Sequence, residues 1–282
     1  MRIGAHVFGY SNAQEWVLLH KKLGYGAAYW PLALDAPGQQ VEEYAAEARR
    51  HNLLISEIGT WNNMLAADPD EAERNVQANI NALRLADRVG ARCCINITGS
   101  MSDTWDGPHP QNMSEEVFAK AVENIRRIID TATPQSAFYT VEMMPWMVPN
   151  SIEGMQALLD AVDRPQFAVH ADMCNMINSF EKVYENAALT RRFFRTFGRK
   201  IKAVHAKDIC LGKKLTLQIT EVMPGQGVMD LDTMLAECEV LDADMPIMVE
   251  HLNGEQEYTD AARWFLERAA KLGIECKAGE WL

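Results

Sequence analysis

Glu142, Asp172, His205 and Glu250 each close a short apolar run, in FYTVE, FAVHAD, IKAVH and PIMVE. Such runs read as buried strands, and barrel enzymes place their chemistry on charged side chains at strand ends. Each of the four lies about as far from the start of its run as the others, so inward-pointing side chains would meet. Three carboxylates crowded together raise one another's pKa, and a divalent cation removes that conflict. One imidazole with three carboxylates is an oxygen-rich donor set that suits Mn²⁺, Mg²⁺ or Co²⁺ better than a thiolate site does, and it also admits Zn²⁺. A single strand-end carboxylate is more often a helix cap or an ion-pair partner. Four on successive strands favour ligands.

The elements that must position them follow from the same patterning. Apolar runs alternate eight times with amphipathic stretches over 282 residues, about 35 residues per unit, which suits a strand, a helix and two loops. The runs are Ile3 to Val7, Ala27 to Trp30, Leu53 to Ile58, Arg92 to Ile97, Phe138 to Met143, Phe167 to Asp172, Ile201 to Ala206 and Ile247 to Leu252. Strict alternation implies a parallel sheet, and eight units favour closure into a (β/α)₈ TIM barrel, a single domain over residues 1–282. There is no GxGxxG after the first strand and no Walker loop, so nothing points to an open nucleotide-binding sheet.

Helix boundaries are marked in several places. Ser11 with Gln14 resembles a capping box, and Gly24 suits a C-cap. Asp68-Pro69 with Glu71 opens a helix whose stripe is Val76, Ile80, Leu83 and Ala86 and which Gly90 ends. Tyr258, Ala262, Phe265, Ala269 and Leu272 form another stripe. The turn-rich stretch Gly99 to Gln111 has the composition of a lid.

Composition narrows the function classes. A hydrophobic share of 48% supports a large core, and the net charge of −12 disfavours a nucleic-acid partner, which needs basic patches to release counterions. Six cysteines without a CxxC pair read as reduced and packed. No apolar run approaches the ~18 residues of a membrane span, and MRIGAHVFGY lacks a signal-peptide core. The expectation is a cytoplasmic protein with no membrane partner.

The period of a strand puts His170 on the face of Asp172 and Lys207 on that of His205. Lys207 can bind a substrate hydroxyl or pair with a ligand carboxylate, and His170 is expected to orient Asp172. Met144 and Leu252 read as packing, and His251 as structural, facing the helices. His6, Trp30, Glu57, Trp61, Asn96, Trp105 and Trp146 lie at or just after the ends of early strands, while Trp16, Trp264 and Trp281 lie elsewhere. Aromatic faces cover sugar C–H groups and polar side chains fix hydroxyls, so this is a carbohydrate-like lining.

The chain resembles the xylose isomerase-like barrels, especially the sugar isomerase and epimerase branch with tagatose and psicose 3-epimerases. The likeness rests on VEMMP, HADMCN, VHAKD, PGQG followed by Asp230, and VEH, in that order, and covers the whole chain. It implies one catalytic divalent metal, most often manganese, held by Glu142, Asp172, His205 and Glu250. It also implies a small sugar or sugar-derived substrate, proton abstraction beside a metal-bound carbonyl by Glu142 and Glu250, and a tendency to homo-oligomers. Where family epimerases have Asp-x-x-His, this chain has Asp172-x-x-Asn175, an amide able to bind a hydroxyl but not to exchange a proton readily. Where they place an Arg after the metal-binding His, it has Lys213 and Lys214 in a longer segment, Leu211 to Thr220. The same frame serves hydroxypyruvate isomerases, inosose dehydratases and C-glycoside-cleaving subunits. The endonuclease IV group shares the fold but needs further His ligands. A non-catalytic sugar-binding subunit is the reading from another class, and the pair Glu142 and Glu250 weighs against it.

Overall fold

The structure, a computed structural model, describes residues 1–279; residues 280–282, with Trp281, lie outside the described residues. Eight parallel strands form one sheet: β1 (Arg2–Gly4), β2 (Ala27–Tyr29), β3 (Leu54–Gly59), β4 (Cys93–Asn96), β5 (Phe138–Val141), β6 (Phe167–Asp172), β7 (Ile201–Ala206) and β10 (Pro246–Val249). The order is β1-β10-β7-β6-β5-β4-β3-β2, and Gly26 N donates to Ile3 O at 3.0 Å across the remaining seam. The sheet is a nearly closed barrel with helices on its outside, as the alternation predicts. Gly4 permits the closure, since a Cβ there would stand 2.4 Å from Ala27 O.

Strands buried on both faces have no polar side, which is why their sequences read as continuous apolar runs. β6 is buried at every position. Several observed strands stop short of the expected ends, and Glu142 and Glu250 fall one residue beyond β5 and β10.

The helix signals hold with two adjustments. On α1 (Ala13–Leu23) the cap is Asn12, whose side chain accepts from Glu15 N at 2.9 Å, while Glu15 Oε2 accepts from Ser11 N at 2.7 Å. The box is therefore displaced by one residue from Ser11 and Gln14. On α3 (Pro69–Val89) Asp68 caps the start, Gly90 ends the helix at φ 78°, and the predicted stripe is buried. On α9 (Gly254–Lys271) the stripe stops at Ala269, and Leu272 lies past the helix, partly exposed.

An element not expected from the sequence follows β7. Strands β8 (Asp208–Leu211) and β9 (Ile219–Val222) pair as an antiparallel hairpin over the C-terminal mouth, with Lys213 and Lys214 in its turn. The buried carboxylate of Asp208 fixes its base by accepting from Ile209, Gly225, Gly227 and Met229 N–H groups at 2.9 to 3.1 Å. No helix among the described residues is long and apolar enough to cross a membrane.

Candidate metal centre

Ladder register brings the four strand-end residues together. Asp172 pairs with His205 and His205 with Met248, while Glu142 N donates to Asn96 O at 2.9 Å. One donor atom from each of Glu142, Asp172, His205 and Glu250 lies within 4.8 Å of the others. The first three are buried and Glu250 is half-buried.

His205 Nδ1 faces the carboxylates, 3.1 Å from Glu250 Oε2 and 3.4 Å from Glu142 Oε1. Lys207 Nζ lies among them, 2.7 Å from Asp172 Oδ2, 2.8 Å from Glu250 Oε2 and 3.8 Å from Glu142 Oε1. Asp172 Oδ1 accepts from Cys174 N and Asn175 N, which turns Oδ2 toward the cluster. Despite the nearby ammonium, Asp172 Oδ2 and Glu250 Oε2 are buried without a hydrogen bond of acceptable geometry. Their charge is met by the ion pairs with Lys207, and the same oxygens are open to a divalent cation in its place.

The electrostatics are asymmetric. Burial pushes the Glu142 carboxyl up to about 7, against the pull of Lys207 and His205. Burial also disfavours a charged Glu250, but His205 and Lys207 outweigh it and hold that carboxyl well below the usual range. For His205, burial favours the neutral ring, and the surrounding carboxylates Glu250, Glu57 and Glu142 reverse that and raise it.

Beneath the cluster lies a layer whose role the sequence did not disclose. Glu57, from β3, bridges two imidazoles, with Oε1 2.9 Å from His205 Nε2 and Oε2 2.8 Å from His170 Nε2. His170 thus partners Glu57 rather than orienting Asp172 as expected. Burial raises the Glu57 carboxyl, yet His205 and His170 hold it well below its ordinary value. Glu57 fixes the ring whose other nitrogen faces the four-residue cluster, an arrangement that orients metal-binding histidines. Glu57→Gln is therefore expected to weaken Mn²⁺ binding about 10- to 100-fold while leaving the circular dichroism spectrum unchanged. Unchanged affinity in a calorimetric titration would remove Glu57 from the site.

The remaining expected residues separate into two groups. Trp61, Trp105, Asn175 and Lys207 line one cleft of about 710 Å³ together with Glu142 and Glu250. Asn175 Nδ2 donates to Glu142 Oε1 at 2.9 Å. His6 lies at the mouth, stacked on Tyr29 at 4.3 Å. Trp30 instead joins the hydrophobic core. Asn96 is wholly buried and bonds to Asn62 and Asn79, so it ties β4 to the β3 loop and α3 rather than facing substrate.

Two residues read as structural reach the cleft. His251 has φ 56°, which breaks strand alternation and turns its ring to the mouth, where Nδ1 lies 2.9 Å from Glu221 Oε2. Met144 also lines the cleft, and its sulfur meets Asn175 Nδ2 at 3.5 Å. The stretch from Gly99 to Gln111 forms a wall: buried Asn112 donates to Gly107 O and Trp146 O, and Trp146 Nε1 donates to Asp106 O at 2.7 Å.

The family model for xylose isomerase-like TIM barrels matches residues 19–268. The chain belongs to the xylose isomerase-like TIM barrel family. This agrees with the resemblance carried by the strand-end motifs. No curated protein matches the sequence. Among solved structures of the barrel, D-psicose 3-epimerase with D-tagatose from Clostridium cellulolyticum H10 superposes at a TM-score of 0.69 and 13% identity, covering 98% of this chain and 100% of the other. A xylose isomerase-like TIM barrel protein from Mycobacterium smegmatis in complex with magnesium gives 0.68 and 14%, covering 96% and 97%. Endonuclease IV from Thermus thermophilus gives 0.73 and 17%, covering 96% and 100%. At these identities the likeness is one of fold.

Proposed function

We propose that this barrel is a divalent-metal-dependent isomerase or epimerase of a keto-sugar, moving a proton at the carbon beside the carbonyl. The observation that carries the reading is the convergence of Glu142, Asp172, His205 and Glu250 within 4.8 Å, at the base of a cleft large enough for a sugar. The buried oxygens of Asp172 and Glu250 have no hydrogen-bond donor beyond their ion-pair partners, Lys207 first among them, so they fit a cation, and the donor chemistry favours Mn²⁺ or Mg²⁺, with Co²⁺ and Zn²⁺ also accommodated. When bound, the cation supplies Lewis-acid polarisation of a carbonyl oxygen.

The chain's own groups supply the rest. Glu142 and Glu250 enter from β5 and β10, the two ends of the arc of four strands, so they can address opposite faces of one substrate carbon. Two carboxylates so placed remove and return a proton with inversion. Asn175 and Lys207 offer donors to hydroxyls, and Trp61, whose ring centroid is 6.1 Å from that of His205, covers a C–H face. An elimination on an inosose or an oxidised glycoside begins with the same abstraction, and a lyase is the alternative outcome. The acidic chain, net −12, weighs against a polynucleotide substrate.

The test is metal content by elemental analysis in the wild type and in a His205→Ala/Glu250→Ala double variant, followed by proton exchange in D₂O with ketoses, inososes and oxidised glycosides. About one metal per chain, lost in the variant, together with deuterium wash-in, is the expected result. No metal after soaking with Mn²⁺, Mg²⁺, Co²⁺ and Zn²⁺ sinks the proposal.

A further inference from the structure

The cleft above the carboxylates continues into a second compartment of different chemistry. Trp61, Trp105 and Trp146 are 40%, 41% and 39% exposed, and all three line this one cleft. Ile177, Leu217 and Ile219 complete the wall. Large apolar side chains left open side by side mark a binding surface. The polar groups that could address a sugar concentrate at the base, in Glu142, Asn175, Lys207 and Glu250. Higher up, Glu221 is already paired with His251, and Asp106 and Asn178 are the polar side chains at the rim.

The wall is built rather than incidental. Trp146 is tied through its indole N–H to Asp106 O, and buried Asn112 holds the Trp146 carbonyl and Gly107 O together. Trp61 folds back over Gly59, where a Cβ would stand 2.4 Å from its Nε1, and this places the indole where the polar base meets the apolar wall. The hairpin β8–β9 supplies Leu217 and Ile219 from the opposite side.

We infer that the cleft holds a glycoside, with the sugar at the carboxylate base and an aromatic aglycone against Trp105, Trp146, Leu217 and Ile219. This rests on the reading of the base as a sugar site. A second sugar ring would bring hydroxyls against Trp105, Trp146, Leu217 and Ile219, whose side chains offer them no acceptor and only indole N–H donors, that of Trp146 already given to Asp106 O, whereas an aryl group matches these flat apolar faces. The substrate class is therefore an aryl glycoside whose sugar carries the keto group, rather than a free ketose.

Calorimetry with the Mn²⁺-loaded protein tests this, using phenyl and methyl β-D-glucopyranoside, phenyl and methyl β-D-xylopyranoside, and methyl β-cellobioside. The phenyl member of at least one pair is expected to bind roughly tenfold tighter than the methyl member. That preference should collapse in Trp105→Ala and in Leu217→Asp. Should one variant fail to fold, the other carries the comparison. Equal affinity within both pairs, no binding of either phenyl glycoside, or a cellobioside as tight as the phenyl glycosides overturns the inference. A phenyl preference retained while the affinity of both members of a pair is unchanged by omitting Mn²⁺ and in Glu250→Gln upholds the aglycone wall and fails the metal–sugar reading of the base.

Discussion

Glu250→Gln is expected to lower proton exchange by about 10³-fold for the epimer whose C–H faces Glu250, the usual scale for removing a general acid or base. Gln keeps a ligand oxygen at nearly the same place but has no carboxylate to take a proton. Glu250 is suited to the basic role because His205 and Lys207 hold it ionised. The fold should tolerate the change, since Lys207 keeps Asp172 at 2.7 Å. The measurement is deuterium wash-in from D₂O, with Mn²⁺ content followed in parallel. Loss of exchange with metal retained supports Glu250 as the proton-transfer group. Exchange at the wild-type rate with metal retained would assign the proton step elsewhere. Glu142→Gln provides the complementary case: if the two carboxylates serve opposite faces, each variant should retain exchange with only one of two epimeric substrates.

The barrel and its four converging residues were legible because both depend on simple periodicity. Each ligand candidate is a charge at the end of an apolar strand, and a parallel barrel brings such ends to one rim. What could not be read depends on contacts between segments distant in sequence. Asn96 looked like a lining residue, but it meets Asn62 and Asn79, and that network forms only when α3 packs on β4. Trp30 was assigned to the lining by its place after β2, yet it packs into the core. His251 defied alternation through one left-handed residue, its own, which no period reveals. The clearest missed signal was Glu57, a charge within the run LISEIG. A buried carboxylate seldom stands there without a partner, and its partners prove to be His170 and His205.

Lys207→Met should give the largest effect on stability, and its sign with metal distinguishes two roles for the lysine. The ammonium is nearly buried, 2.7 Å from Asp172, 2.8 Å from Glu250 and 3.8 Å from Glu142. Methionine keeps the length and removes the charge, leaving three carboxylates opposed by His205. Breaking such a buried arrangement costs about 3–5 kcal/mol, which for a chain of this size lowers Tm by roughly 5–8 °C in EDTA. Protonation of Glu142, already pushed up to about 7, would absorb part of that cost. A divalent cation seeks the same oxygens, so Lys207 competes with it, and the variant should bind Mn²⁺ more tightly than the wild type. Ligand linkage then predicts that saturating Mn²⁺ narrows the Tm gap. A gap equal in EDTA and in Mn²⁺ would mean that lysine and cation do not share these oxygens. A narrowing gap would mean that metal loading releases the ammonium from the carboxylates, on the wall of the cleft where a substrate hydroxyl can accept from it.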